Sequence, residues 1–265
     1  MVENMTKLDL NDVTRYVENN IKDFHEKRLA KVNSIKLSDV IRAKNPYLFK
    51  AKNVTTASEI IDGILSAFLS SSEEGIFGNW LERLAIYINQ AVYGGQKAAV
   101  DGIDLDFVKD GKRYLVAIKS GPNWGNDSQY KKLIDQFNTA RKRLSTSGGK
   151  VETICVNGCC YGRSQDKSEL KAKGNYYKMC GQRFWELISG DPNLFIDIIV
   201  PIGHEAERQN QEFNVSYGNL KNRLEKEFLL QFTDEAGAID WAKLIKFNSL
   251  TEVKVPTPKK GKQIK

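Results

Sequence analysis

Asp104, Asp106 and Lys119 are the residues of this 265-residue chain whose types and spacing could do chemistry. Carboxylates are hard oxygen donors suited to a divalent cation, and an ammonium beside them suits an anionic oxygen such as that of a phosphate. They act together only if the backbone holds them side by side, and residues 101–121, DGIDLDFVKDGKRYLVAIKSG, supply the means. Asp110-Gly111 between two alternating apolar runs predicts a two-residue hairpin turn, because a type I′ turn needs positive φ and Gly adopts it without strain. Strands are therefore expected over 103–108 and 113–119.

The turn sets the register, with 109 opposite 112, 106 opposite 115 and 104 opposite 117. Side chains alternate between faces, so Asp104, Asp106, Ala117 and Lys119 are expected on one side of the ribbon. Ile103, Leu105, Phe107, Tyr114, Val116 and Ile118 then form an apolar face that requires a core.

An Asp followed after fifteen positions by a Lys that closes a hydrophobic strand resembles the PD-(D/E)xK nuclease superfamily, especially the type II restriction endonucleases. The chain departs from that pattern at Ala117, where the family usually carries Asp or Glu two residues before the lysine. In some branches a helix ahead of the hairpin supplies a glutamate instead, and Glu82 in IFGNWLERLAIYINQAVYGG is the candidate; Asp106 is the competing ligand. The order of elements around the hairpin also resembles the restriction enzymes that cut degenerate GGNCC-type sites. The resemblance implies an α/β restriction-endonuclease-like core, with a central mixed β-sheet flanked by helices and extra N- and C-terminal helices. It further implies phosphodiester hydrolysis with Mg2+, in which Asp104, Glu82 and the Ile118 carbonyl hold the metal and Lys119 positions or deprotonates the attacking water.

Charge distribution points the same way. Residues 109–150 hold ten Lys or Arg against Asp110, Asp127 and Asp135, a basic zone that begins at the hairpin and fits a polyanion, although a solvated helix face would share the composition. Residues 254–265 carry five lysines and no acid, with Pro256 and Pro258, and read as a disordered basic tail. No apolar run reaches the roughly 20 residues of a membrane span, and no secretory leader is visible, so a prokaryotic cytoplasmic protein is expected. Cys155, Cys159, Cys160 and Cys180 include no CxxC pair and read as free thiols.

Along the rest of the chain, residues 6–31 carry the helical stripe Val13, Tyr16, Val17, Ile21 and Phe24. Asn45-Pro46 marks a break. Helices are expected over 58–69, capped by Ser58 or Thr56, and over 78–92, with Trp80, Leu81, Leu84, Ile88 and Val92 inward. After the hairpin, SGPNWGND enforces a loop, and Asn126 or Asp127 caps a helix over 128–144 whose start suits a phosphate. A strand over 151–156, parallel to 113–119, and a turn over 158–163 follow. Residues 163–183 read as a polar, basic surface connection that could enter a groove. A short helix with Phe184 and Trp185, an ambiguous 194–201 and helices over 206–247, which could form a dimer surface, complete the chain.

The expected organisation is an N-terminal helical region over 1–70, a catalytic core over 71–205, a C-terminal helical region over 206–253 and the tail over 254–265. Double-stranded DNA is the expected partner, contacted by Asn123, Trp124, Asn126, Gln129, Lys131, Lys132, Arg163 and Lys171. A homodimer matches a palindromic site, and a DNA methyltransferase is expected in the same system without direct contact. Two further readings stay open: a structure-specific repair or recombination nuclease of the same fold, and an inactive DNA-binding module.

Overall fold

A computed structural model of the chain describes residues 7–146, 151–164, 170–171, 175–204 and 206–251. The element order is α1 (Leu10–Asn20), α2 (Lys22–Ser34), α3 (Leu37–Arg42), α4 (Pro46–Ala51), α5 (Ala57–Tyr93), β1 (Leu105–Lys109), β2 (Lys112–Lys119), α6 (Asp127–Thr146) and β3 (Thr153–Cys159). It continues with β4 (Leu170–Lys171), β5 (Tyr176–Cys180), α7 (Gln182–Ser189), α8 (Leu194–Asp197), α9 (Ile199–Gly203), α10 (Ala206–Phe232) and α11 (Trp241–Ser249). Among the described residues no helix is long and apolar enough to cross a membrane.

The chain forms two compact units, one of residues up to Ala30 with Ser71–Asn214, the other of Lys31–Ser70 with the residues from Val215 onward. The division falls inside α2, α5 and α10. The N-terminal stretch expected as one region is therefore shared out, its first part joining the sheet and its second the C-terminal helices.

In the sheet unit the strand order is β1-β2-β3-β5-β4. The hairpin register is the expected one, with Asp106 opposite Leu115 and Lys109 opposite Lys112. Asp110 and Gly111 sit at φ 50° and 70°, the two positive values of a type I′ turn. β2 and β3 pair in parallel across α6, Arg113 opposite Thr153 and Lys119 opposite Cys159. β3 continues to Cys159, two residues into the expected turn over 158–163, because Gly158 is interior: a Cβ there would lie 2.4 Å from the Phe184 ring.

β5 corrects the reading of 163–183 as a surface connection. Tyr176–Cys180 pairs in parallel with β3, and Tyr176 and Cys180 are buried. Its central Lys178 keeps its ammonium near the surface, donating to the Pro122 carbonyl at 2.7 Å. The ambiguous 194–201 segment is helical, as α8 and α9.

The sheet is covered on both faces. On one, Leu105, Phe107, Val116 and Ile118 pack with Trp80, Leu84 and Ile88 of α5 and with Val13, Val17 and Ile21. On the other, Leu115 and Ala117 pack with Leu133, Phe137 and Ala140 of α6. Ile103 belongs to this second cluster, contrary to the alternation expected from sequence. It precedes the regular strand, its N–H bonding to the Val100 carbonyl in a turn, so the period of two does not reach it.

The expected helices over 58–69 and 78–92 are one helix, α5, of 37 residues. Thr56 and Glu59 open it as a capping box: the Glu59 N–H donates to Thr56 Oγ1 at 3.2 Å and the Thr56 N–H to the Glu59 carboxylate at 3.1 Å. In the helical unit, α11 packs on α3 and α4, and Leu220, Leu224, Phe228 and Phe232 of α10 are buried while Leu229 is exposed.

Candidate active site

The chemistry-bearing residues gather at the end of the hairpin away from its turn. Pairing of β1 begins at Leu105, so Ala117–Lys119 extend past it. Odd-numbered residues of β2 direct their backbone groups to β3, as the Cys160 N–H bonding to the Lys119 carbonyl at 2.9 Å shows. Even-numbered residues turn toward β1, where the Asp104 N–H donates to the Val116 carbonyl at 2.9 Å. Ile118 meets no strand there, and its N–H donates instead to the Asp104 carboxylate at 2.7 Å. Because the N–H and C=O of one strand residue point the same way, the Ile118 carbonyl lies on the side that the Asp104 carboxylate occupies.

Glu82 is brought to this end by a glycine. A Cβ at Gly78 would stand 3.0 Å from Ser120 Cβ, the residue after Lys119, so α5 approaches the strand end at a distance that a larger residue would widen. Glu82 is four residues on, one turn along the same helix face. Burial pushes its carboxyl above the usual glutamate range, the nearby Asp104 carboxylate adds to the rise, and Lys119 and Lys97 oppose it. Its neighbour Arg83 bonds instead to Asp23 at 2.9 Å. Among the described residues Glu82 has no ion pair or hydrogen bond, and the charges that act on it are those of the site.

Lys119 is half-buried, its ammonium 5.1 Å from the centre of the Trp124 ring. Trp124 is itself half-buried, packs against the α6-side core and lies 4.7 Å from Tyr130, so it anchors the loop and flanks the lysine.

Asp106 is differently placed. Arg113 grips it through two bonds, Nε at 2.8 Å and Nη2 at 2.6 Å, so both its oxygens are committed. The competing ligand of the sequence reading is thereby used in structure. Ala117 is fully buried among Leu115, Leu133 and Phe137, so its Cβ meets packing atoms, and an acid at this position would need apolar neighbours to part.

The expected DNA contacts are scattered by role. Asn126 and Gln129 form the cap of α6: Asn126 Oδ1 accepts the Gln129 N–H at 3.1 Å and Gln129 Oε1 accepts the Asn126 N–H at 2.9 Å. That occupies the Gln129 oxygen expected near a phosphate or water. Asn123, Lys131, Lys132 and Arg163 are exposed, while the Lys171 side chain and the tail over 254–265 lie outside the described residues. An apolar cavity of about 670 Å³ lined by Phe77, Leu81, Trp185 and Ile198 borders Cys160 and Tyr161; among the described residues no carboxylate lines it, Asp104 and Glu82 included. Gly78 and Lys97 were not singled out from sequence. A glycine inside an otherwise periodic helix was the available signal for the first; none marked the second.

The four cysteines are free and buried. Burial raises the thiol of Cys155 to about 11 and that of Cys159 to about 12, which keeps both protonated and weakly nucleophilic at neutral pH.

Two carboxylates and a backbone carbonyl fit a hard divalent cation. Among the described residues no three Asp, Glu, His or Cys side chains cluster to hold a metal. So small a protein donor set suits Mg2+, which keeps several of its waters. A cation would also relieve the like-charge pressure on Glu82.

A helix-covered mixed sheet whose hairpin opens onto carboxylates and a strand-end lysine defines the class of restriction-endonuclease-like proteins. Within it, the chain matches the family described as Type II restriction endonuclease EcoO109I over residues 11–210, and it belongs to that family of DNA-cleaving hydrolases. No individual curated protein matches it.

Proposed function

We propose that the chain is a Mg2+-dependent deoxyribonuclease that cuts both strands of a palindromic, GGNCC-type site as a homodimer in the prokaryotic cytoplasm, with host DNA protected by a separate methyltransferase. The observation that carries the catalytic part is the meeting of Asp104, Glu82 and Lys119 at the uncovered end of the hairpin. Asp104 and Glu82, with the Ile118 carbonyl, would hold the cation. When bound, the cation supplies charge neutralisation at the scissile phosphate and at the leaving oxygen. Lys119 orients the attacking water, accepts or steers its proton and offsets charge in the transition state. Trp124 flanks the ammonium and Asp104 is fixed by the Ile118 N–H, so little reorganisation is needed as charge develops.

Incubation of the protein with mixed-sequence phage DNA in Mg2+, beside Lys119→Ala, tests this reading. Discrete fragments from the wild type alone are expected, and their ends give the site. Intact DNA from both proteins, with duplex binding retained, would instead make Ala117 the mark of a lost active centre and leave a DNA-binding module.

A further inference from the structure

We propose that the helical unit carries a duplex-DNA contact surface of its own, built on α3, α4 and α11 from Arg42, Lys44, Lys50, Lys243 and Lys246. The choice of DNA as the polyanion rests on the nuclease reading above; the existence of the surface does not.

Packing of α11 on α3 and α4 creates it. Asn248 ties the elements together, its side-chain amide donating to the Ile41 carbonyl at 2.8 Å and the Lys44 carbonyl at 3.1 Å. Arg42 thereby joins Lys243 and Lys246 around an open cleft of about 600 Å³. The local sequence is one-sided in charge. Residues 36–52 hold Lys36, Arg42, Lys44, Lys50 and Lys52 against Asp39 alone, and α11 holds Lys243 and Lys246 with no acid. Asp240, just ahead of α11, is spent as its cap, accepting the Lys243 N–H at 2.9 Å.

Elsewhere in the same unit a cation is neutralised: Lys221 lies 2.8 Å from Asp62 and 3.7 Å from Glu225. None of the five cations of the surface has an ion pair among the described residues. Two of them are held over aromatic rings, Arg42 at 5.1 Å from the Phe247 centroid and Lys50 at 5.1 Å from that of Trp241. A ring fixes a cationic head without cancelling its charge. Like charges gathered with no ion pair among the described residues repel, and the repulsion is relieved when a polyanion enters and releases its condensed counterions. Arg42, Lys243 and Lys246 border the open cleft while Lys50 stands over Trp241 at the start of α11, so the charge reaches beyond a single small-anion site and suits the repeating phosphates of a duplex. Phosphate pairing of this type carries no base information, so the surface binds without sequence preference.

The test is metal-free binding of the full-length protein to a short mixed-sequence duplex across a KCl series. Arg42→Gln/Lys243→Gln/Lys246→Gln is compared with the wild type, with the charge-keeping Arg42→Lys/Lys243→Arg/Lys246→Arg and with the mild single change Lys246→Gln. The slope of log K against log [KCl] should become shallower by about 0.9 for each phosphate no longer neutralised, hence by about 2.7 in the triple neutralised protein, with the charge-keeping protein matching the wild type. If the triple protein does not fold, Lys246→Gln alone carries the expected change of about 0.9. An unchanged slope in the neutralised proteins overturns the inference, as does binding that shifts for vesicles of anionic phospholipid but not for the duplex. The nuclease reading is judged separately by cleavage: an inactive protein with the slope change keeps this surface, and an active one without it loses only this surface.

Discussion

The two ends of the hairpin are built from the same residue types and do opposite things. Toward the turn, Asp106 is paired with Arg113 and Lys112 with Glu152, at 2.6 and 3.1 Å, so the charges are matched. At the open end, Asp104 accepts one backbone N–H, Glu82 has no hydrogen bond or ion pair among the described residues, and Lys119 faces a ring. Two aspartates separated by a single residue on one edge thus differ in whether the chain has already used them. What makes a carboxylate available for chemistry here is where strand pairing stops, and the residue type alone does not tell.

Lys119→Ala and Asp104→Asn should each lower DNA cleavage in Mg2+ by about a thousandfold or more, the scale for removing a group that meets transition-state charge. Recovery of near wild-type rates in either would dissolve the distinction between the ends.

Glu82→Gln should lose cleavage by about a hundredfold or more and yet raise the melting temperature of the metal-free protein. The sign follows from the raised carboxyl. Glu82 binds its proton more readily folded than unfolded, so it costs stability at neutral pH, and the cost fades as pH falls through its folded-state value. The variant's thermal advantage should therefore shrink on acidification, and Mg2+ should stabilise the wild type more than the variant. A variant less stable than the wild type at neutral pH would mean that Glu82 is not under charge pressure.

Gly78→Ala should cost activity by about tenfold, since the added methyl meets Ser120 and moves α5 by a few tenths of an ångström. Helix propensity works the other way, favouring Ala by about 1 kcal/mol, so a more stable protein of full activity would show that the close approach does not place Glu82. The smallest effect on cleavage belongs to the turn end. Asp106→Asn should leave the rate within about threefold while costing about 1–2 kcal/mol in denaturant unfolding, because it breaks a largely buried, two-pronged pair.

Much of this was legible in the sequence, and for local reasons. Asp110-Gly111 announced the turn and its register, Asn126 or Asp127 was readable as the cap of α6, and the parallel pairing of β2 and β3 followed from an intervening helix. What escaped was decided by residues distant in sequence. β5 looked like a connection because Lys178 sits at its centre, reaching out to Pro122. α5 looked like two helices because Gly75 and Gly78 weaken the pattern, although Gly78 is retained where the helix meets Ser120. Asp106, although further from Lys119 than Asp104, stayed open as a competing ligand, since alternation gives the face of a side chain and not the partner it finds. Residues up to Ala30 could be read as helical, but not as belonging with the sheet.

We place the active centre at the open end of the hairpin, with Glu82 serving where Ala117 leaves no acid. Cleavage of one DNA substrate in Mg2+ by Glu82→Gln and Asp106→Asn, side by side with the wild type, tests it most directly. The account predicts an almost inactive Glu82 variant and an Asp106 variant close to wild type. The reverse, an active Glu82→Gln and an inactive Asp106→Asn, would contradict it.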